Sequence, residues 1–134
     1  MLIESLQGIP AFALYFAVGY GLILLFGAVY SKVTPYCEWT LMSQNNKAAA
    51  TAFGLSLVGY TIPVASAAIN SVSLVDYAMW GLVALVTQLI TFTTVRLYMK
   101  GLIEKINEDQ LSAGIFLGCA AIATGILNAA CMTY

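Results

Sequence analysis

The chain has 134 residues with a formal net charge of −1, and 61% of them are apolar while only 8% are charged. Soluble domains carry about 25% charged residues, so this composition, with a mean hydropathy of +0.90, indicates a membrane protein. The five lysines and arginines are too few and too dispersed to form the basic surface that a nucleic-acid partner requires.

Four stretches of the chain lack Asp, Glu, Lys and Arg and are long enough to cross a membrane: 5–31, 48–75, 77–95 and 110–134. About 20 apolar residues of helix span a hydrocarbon core roughly 30 Å thick, and the stretches do not alternate as barrel strands would. We therefore predict an all-α integral membrane four-helix bundle, a single transmembrane domain over residues 1–134. Its helices are expected near 9–31, 48–69, 77–98 and 111–131.

The beginning of the chain is not expected to be a cleaved signal peptide. Its first eight residues, MLIESLQG, contain Glu4 and no lysine or arginine, whereas signal peptides begin with a positively charged region. The apolar run that follows is also longer than the core of a signal peptide. The first helix should therefore remain in the mature protein.

The basic residues predict the orientation of the bundle. They lie between the first and second helices and around the connection of the third and fourth: Lys32, Lys47, Arg96, Lys100 and Lys105. Cytoplasmic loops collect Lys and Arg. We therefore predict that both long loops are cytoplasmic and that both termini are periplasmic.

The two long loops contain candidates for a cytoplasmic interaction surface. Apolar residues recur at helical spacing after the third helix, which predicts that this helix continues beyond the membrane with an apolar stripe against lipid headgroups or another subunit. A tryptophan in the first loop is a second candidate. The predicted surface for a protein partner consists of Trp39, Met99, Leu102, Ile103 and Ile106.

The chain can be aligned as two copies of one unit, a helix, a cytoplasmic loop and a second helix. The alignment pairs Tyr15 with Tyr77, Gly19 with Gly81, Ala50 with Ala113, and Phe53 with Phe116. Because each copy has an even number of spans, both have the same orientation, as in parallel-repeat membrane proteins. We predict two parallel two-helix repeats, at about 9–70 and about 75–134.

Small residues form a stripe along the second and fourth helices. Glycine, alanine and serine at this spacing let helix backbones approach closely, which is how helices associate in lipid. The predicted helix-packing residues are Gly114, Gly118, Gly125, Ala52, Ser56 and Gly59. The two faces meet either within one chain or between chains, and the sequence leaves both alternatives open.

Several polar residues fall at mid-membrane depth: Ser56, Tyr60, Thr61, Gln88 and Asn128. The favoured interpretation is hydrogen bonding between helices, which contributes about 0.6 kcal/mol on average in membranes. The alternative is a narrow polar path for an ion or a neutral solute. No acid or base lies at this depth, which argues against a proton-coupled pump.

The residues that most enzymes and cofactor sites need are missing from the sequence. There is no histidine, so Ser–His and Cys–His pairs, haem ligation by two histidines and HExxH zinc sites are excluded. Cys37, Cys119 and Cys131 fall at different predicted depths and form neither a CxxC motif nor a plausible disulfide. We therefore expect no catalytic residues, no metal and no cofactor.

Four segments of the chain carry a resemblance to a known family: VYSKVTPYCEW at 29–39, GYTIPVASAAINSVSLVDYAMWG at 59–81, VRLYM at 95–99 and GILNAACMTY at 125–134. They resemble the YjfL-type small inner-membrane proteins of bacteria, a family catalogued as a domain of unknown function. The likeness covers essentially the whole chain. It implies a multi-pass protein of the bacterial inner membrane with a duplicated two-helix unit, and it implies no substrate, cofactor or catalytic residue.

These observations lead to two hypotheses about function. The first is a non-enzymatic, self-associating structural or adaptor subunit of the inner membrane, in contact with membrane lipid, with copies of itself and with a cytoplasmic or membrane protein partner. The second is a small channel or facilitator for an ion or neutral solute, lined by the mid-depth polar residues. An enzyme is the least favoured class, because no catalytic arrangement is present in the sequence.

Overall fold

The computed structural model of the chain describes residues 1–34 and 38–132. Seven helices occur in this part of the chain: α1 Leu2–Gln7, α2 Ile9–Val33, α3 Glu38–Ser43, α4 Lys47–Asn70, α5 Leu74–Tyr98, α6 Leu102–Asn107 and α7 Leu111–Cys131. The two described ranges contain no strand, which confirms the predicted all-α class. Cys37, one of the three cysteines of the sequence, lies outside the described residues.

The four predicted membrane spans are present. The α1–α2 segment and helices α4, α5 and α7 are each long and apolar enough to cross a membrane. The ends of α2, α4, α5 and α7 lie within three residues of the predicted bounds. Runs of uncharged residues therefore locate these helices well, because charge is costly inside the hydrocarbon region.

Side-chain caps define where two of the long helices begin. Asn46 precedes α4 and its side chain accepts a hydrogen bond of 2.8 Å from the backbone N–H of Ala49. Ser73 precedes α5 and accepts a bond of 3.1 Å from the backbone N–H of Asp76. Such caps satisfy N–H groups that have no partner within the helix.

Helices α4 and α7 form the closest pair in the bundle. They run in the same direction, since Ala48 lies against Gly114 near their first turns and Ser66 donates a hydrogen bond to the carbonyl of Ala129 near their last turns. Helix α5 packs against both of them, and α2 packs against α4 and α5. The closest contacts of the bundle are therefore those between α4, α5 and α7.

An aromatic cluster fills the space where α2 meets α4 and α5. The ring of Phe26 stacks on that of Tyr60 at 4.6 Å between centroids, and Tyr30 meets Phe92 edge-on at 5.5 Å. All four side chains are buried. Stacked and edge-to-face rings are favourable beyond the area that they bury, so this cluster fixes the position of α2.

The prediction that the third helix continues past the membrane is wrong. Helix α5 ends at Tyr98, and a separate helix, α6, begins at Leu102. Gly101 between them has a φ of +75°, a left-handed conformation that glycine adopts without strain and that ends a helix. The chain therefore turns back, and α6 packs on α4, α5 and α7.

Candidate functional site

The small residues of α4 and α7 meet within one chain. A Cβ atom added to Gly59 would lie 2.5 Å from the carbonyl oxygen of Ala121, and one added to Gly125 would overlap the carbonyl oxygen of Gly59. Gly114 faces the backbone of Ala48 in the same way, and Gly118 faces the side chain of Leu55. Only glycine permits this approach. At these positions the faces of α4 and α7 meet within one chain, which is one of the two alternatives that the sequence left open.

The other two predicted packing residues, Ala52 and Ser56, are also buried. The Ser56 hydroxyl donates a long hydrogen bond of 3.5 Å to the hydroxyl of Tyr30 on α2. The face of α4 that carries Ala52 and Ser56 is therefore also buried within the protomer.

Gln88 on α5 connects the two closely packed helices. Its Nε2 atom donates to the carbonyl oxygens of Gly59, at 3.3 Å, and of Ala121, at 3.1 Å. Pro63 has no backbone N–H, so the carbonyl of Gly59, four residues earlier, lacks its normal donor within α4. The Gln88 side chain supplies that missing donor and holds three helices together at one point.

The remaining residues of the predicted polar path are divided between different partners. The Tyr60 hydroxyl is buried and donates to the carbonyl of Gly81 on α5 at 2.8 Å. Thr61 is exposed and donates to the carbonyl of Leu57, one turn earlier in its own helix, at 2.7 Å. The Nδ2 atom of Asn128 is buried and has no hydrogen-bond partner in the described part of the chain.

The loop between α6 and α7 is fastened to the start of α4. Asn46 donates to the carbonyl of Ile106 at 2.8 Å, and the Oδ1 atom of Asp109 accepts from the backbone N–H of Ala48 at 2.9 Å. A carboxylate at a helix N-terminus is favoured by the helix dipole. Sequence reasoning missed both residues, although an asparagine directly before an alanine-rich helix is a recognisable capping signal.

The predicted cytoplasmic interaction surface is only partly accessible. Leu102 and Ile106 are buried in the bundle, whereas Met99 and Ile103 are half-buried. Trp39 is 61% exposed, and its ring lies edge-on to Phe53 at 5.3 Å. In this conformation a partner can reach Trp39, Met99 and Ile103, but not the two buried side chains.

A buried carboxyl group lies beside the end of α2. Glu38 is only 1% exposed, and the hydroxyl of Thr34 donates a hydrogen bond to its Oε1 atom. Burial raises the pKa of Glu38 above its ordinary value, although hydrogen bonds from Thr34, from its own backbone and from Ser31 act in the opposite direction. The sequence analysis gave Glu38 no role. The feature that could have drawn attention to it is that Glu38 is the one charged residue between Lys32 and Lys47.

Two apolar grooves follow the junction of α2 with α4. The first, of about 280 Å³, is bordered by Phe12, Phe16 and Tyr20, whose rings stack at 5.7 and 6.0 Å between successive centroids. The second, of about 290 Å³, is bordered by Trp39 and Phe53. Both are open to the surface of the protomer.

A third groove, of about 260 Å³, lies between α5 and α7 and is lined mainly by threonines. Thr87, Thr91 and Thr94 on α5 donate to carbonyls one turn earlier in their own helix. Hydroxyls that are satisfied in this way can face lipid at little cost.

The described residues do not bring together three or more Cys, Asp or Glu side chains that could hold a metal ion. Cys119 and Cys131 are free thiols, and both are exposed.

Comparisons with known proteins give a consistent result. The family described as "Domain of Unknown Function (DUF350)" matches residues 4–132. Over 129 residues the chain is 52% identical to the "UPF0719 inner membrane protein YjfL" of Escherichia coli strain K12, a match that covers 96% of this chain and 98% of that protein. The protein of the same name from Escherichia coli O157:H7 matches to the same extent. No solved structure matches the chain.

Proposed function

This chain belongs to the DUF350 family, and its described part has four helices long and apolar enough to cross a membrane. We propose that it is a self-associating structural or adaptor subunit of the bacterial inner membrane. One observation carries the proposal: the outward face of α2 bears a row of stacked aromatic rings beside an apolar groove. The small residues of α4 and α7, by contrast, are used inside the protomer.

The aromatic row on α2 has the properties of a helix-packing surface. Phe12, Phe16 and Tyr20 are four residues apart, are each more than half exposed, and stack on one another. In lipid, helices associate through close packing rather than through hydrophobic burial. A ridge and a groove on the same face are self-complementary, as a twofold dimer requires.

The test compares two exposed phenylalanines. Cross-linking in cells through the cytoplasmic lysines, followed by gentle extraction and mass analysis, is expected to yield a homo-oligomer. Phe16→Ala should reduce it several-fold, whereas Phe116→Ala, an equally exposed phenylalanine on α7, should leave it unchanged. A monomeric wild-type protein, or an equal effect of the two substitutions, would contradict self-association through α2.

The adaptor part of the proposal concerns the cytoplasmic side. Trp39, Met99 and Ile103 are the accessible members of the interaction surface, and the burial of Leu102 and Ile106 gives that surface a rigid support. Recovery of a second protein in stoichiometric amount, lost on Trp39→Ala, is the expected result. If only the homo-oligomer is recovered, the protein has no tightly bound partner.

The orientation that we propose places both termini in the periplasm and both long loops in the cytoplasm. Its support is the position of all five lysines and arginines, which lie at the ends of α2, α4 and α5 that face the two long connections or in the connection of α5 with α7. A membrane-impermeant thiol reagent added to intact cells should modify Cys131 but not Cys37. Ready labelling of Cys37 would reverse the orientation.

We also propose that the bundle is a duplicated two-helix unit. The aligned residues Tyr15 and Tyr77 stack on each other at 5.5 Å between ring centroids. In the same alignment Tyr30 pairs with Phe92, near the other ends of α2 and α5, and these two rings are also in contact, at 5.5 Å. Aligned positions come into contact when two equivalent helices pack beside a twofold axis along the membrane normal, so these contacts support the duplication. The test is to express residues 1–72 and 73–134 together as two separate chains. If each repeat folds as an independent unit, the two chains should associate in the membrane and be purified as one complex.

The channel hypothesis has weaker support in the geometry. Gln88, Tyr60 and Ser56 are buried, and each donates a hydrogen bond to another helix, so these donors are not available to a solute. The channel hypothesis would be supported if vesicles reconstituted with the protein leaked an ion or solute and if Gln88→Leu abolished the leak.

A further inference from the structure

The carboxyl group of Glu38 is unusual because it is buried without a compensating charge. One oxygen, Oε1, accepts a hydrogen bond from Thr34. The other, Oε2, is buried and has no hydrogen-bond partner within the described ranges, and the same is true of the nearby Ser31 hydroxyl. Ser31 lies close enough to lower the pKa of Glu38, an effect that burial outweighs.

The surroundings disfavour the ionised form of this carboxyl group. Burying an unpaired charge is costly, and burial is the main reason that the pKa of Glu38 is raised. Glu38 lies beside the C-terminus of α2, whose dipole disfavours a negative charge, and at the start of the six-residue α3, whose dipole favours one. The charged groups on the adjoining segments offer no compensation: Lys32 and Lys47 are exposed, and Asp109 accepts from Ala48. No charge among the described residues contributes to the pKa shift of Glu38.

A proton on Oε2 makes the buried carboxyl group neutral, while Oε1 continues to accept from Thr34. We propose that Glu38 is a proton-binding site that holds α3 against the bundle, and that loss of the proton releases α3. The ionised carboxylate then needs water, which it reaches only when α3 moves away.

The residue that reports this movement is Trp39. It follows Glu38 in α3, its ring lies 5.3 Å from that of Phe53 on α4, and it borders the second groove between α2 and α4. When α3 leaves, Trp39 must leave Phe53 as well. The proton on Glu38 therefore controls whether Trp39 borders this groove.

The direction of the pH dependence follows from the raised pKa of Glu38. A raised pKa stabilises the docked form of α3 fully below the ordinary pKa of a glutamate, and this stabilisation is lost as the pH rises through the raised value. Acidification should therefore dock α3, and alkaline conditions should release it.

The experiment uses the full chain in vesicles of phosphatidylethanolamine and phosphatidylglycerol. The chain has two tryptophans, so in a Trp80→Phe background the fluorescence comes from Trp39 alone. Because Trp39 is already 61% exposed when α3 is docked, acrylamide quenching of Trp39 should increase by roughly half in one transition as the pH is raised. Glu38→Gln, which is neutral at every pH, should keep the low-pH quenching throughout, and Glu108→Gln, at an exposed carboxyl group, should titrate like the parent.

A second variant keeps the test independent of whether Glu38→Gln folds. The Thr34 hydroxyl stabilises the ionised form and lowers the pKa of Glu38, so Thr34→Val should move the transition to higher pH. Quenching that does not depend on pH, or a transition that persists unchanged in Glu38→Gln, would overturn the proposal. So would quenching that follows the sodium concentration at fixed pH, because the site would then bind a metal cation.

Discussion

Gln88 on α5 donates a hydrogen bond to the carbonyl of Gly59 on α4, the carbonyl that Pro63 leaves without a donor in its own helix. In lipid, a backbone group without a partner costs several kcal/mol, and a proline in a membrane helix is tolerated where a neighbouring helix satisfies the freed group. The proline and the glutamine are therefore two parts of one structural arrangement, although they lie on different helices.

This relationship predicts that Gln88→Leu lowers the free energy of unfolding by about 1 kcal/mol, the scale of interhelical hydrogen bonds in membranes. Thr87→Val, next to it at a half-buried position with its hydroxyl bonded within α5, should have a much smaller effect. Unfolding in mixed detergent micelles, followed by circular dichroism, measures both.

A double substitution separates this explanation from simple loss of packing. Pro63→Ala restores a backbone N–H that can bond to the carbonyl of Gly59 within α4. The effect of Gln88→Leu should then be smaller in the Pro63→Ala background than in the natural sequence. Equal effects in the two backgrounds would mean that Gln88 does not compensate for the proline.

The close approach of α4 and α7 predicts opposite outcomes at two glycines. Gly125→Ala would place a methyl group against the backbone of Gly59, whereas the Cβ position at Gly21 has open space around it. We expect Gly125→Ala to destabilise the bundle by about 1–3 kcal/mol, as overpacking usually does, and Gly21→Ala to have little effect. Similar thermal unfolding of both variants would show that the helices separate easily.

The number and position of the spans could be predicted because they depend on local composition. Every span contains a long run that lacks charge, with charged residues confined to the ends of the span, and such a run is recognisable without knowledge of its neighbours. The stripes of small residues could also be predicted from the sequence. The helix that each stripe contacts could not, because Gly114 and Gly125 would fit against a second copy of the chain as well as they fit against α4.

The features that the sequence did not predict depend on contacts between distant residues. Asp109 caps α4 although it lies 61 positions after Ala48, and no spacing rule connects the two. Likewise, nothing local shows that Glu38 is buried, because its burial depends on how α3 meets the bundle. The break after α5 was more accessible to prediction, since Gly101 is a common helix-ending residue.

The burial of α6 predicts that two isoleucines in one short helix differ in effect. Ile106 is fully buried and Ile103 only partly, so Ile106→Ala should cost about 2–5 kcal/mol, in the range for buried aliphatic side chains, and Ile103→Ala clearly less. If a protein partner binds this surface, Ile103→Ala should weaken its recovery while the thermal stability stays near that of the parent. A larger loss of stability for Ile103→Ala would mean that α6 is rotated from the position described.

The contact of Asp109 with the start of α4 predicts a stability effect that its neighbour does not share. Asp109→Ala removes the acceptor for the backbone N–H of Ala48 and should lower the free energy of unfolding by about 1 kcal/mol, as the loss of a helix cap does. Glu108, which is exposed and makes its side-chain hydrogen bond to Gln110, provides the control, because Glu108→Ala removes the same charge without uncapping a helix. Hydrogen exchange at the amides of Ala48 and Ala49 should accelerate only in Asp109→Ala, since the contact acts on that end of α4 alone. Acceleration in both variants would instead assign the effect to net charge in the loop.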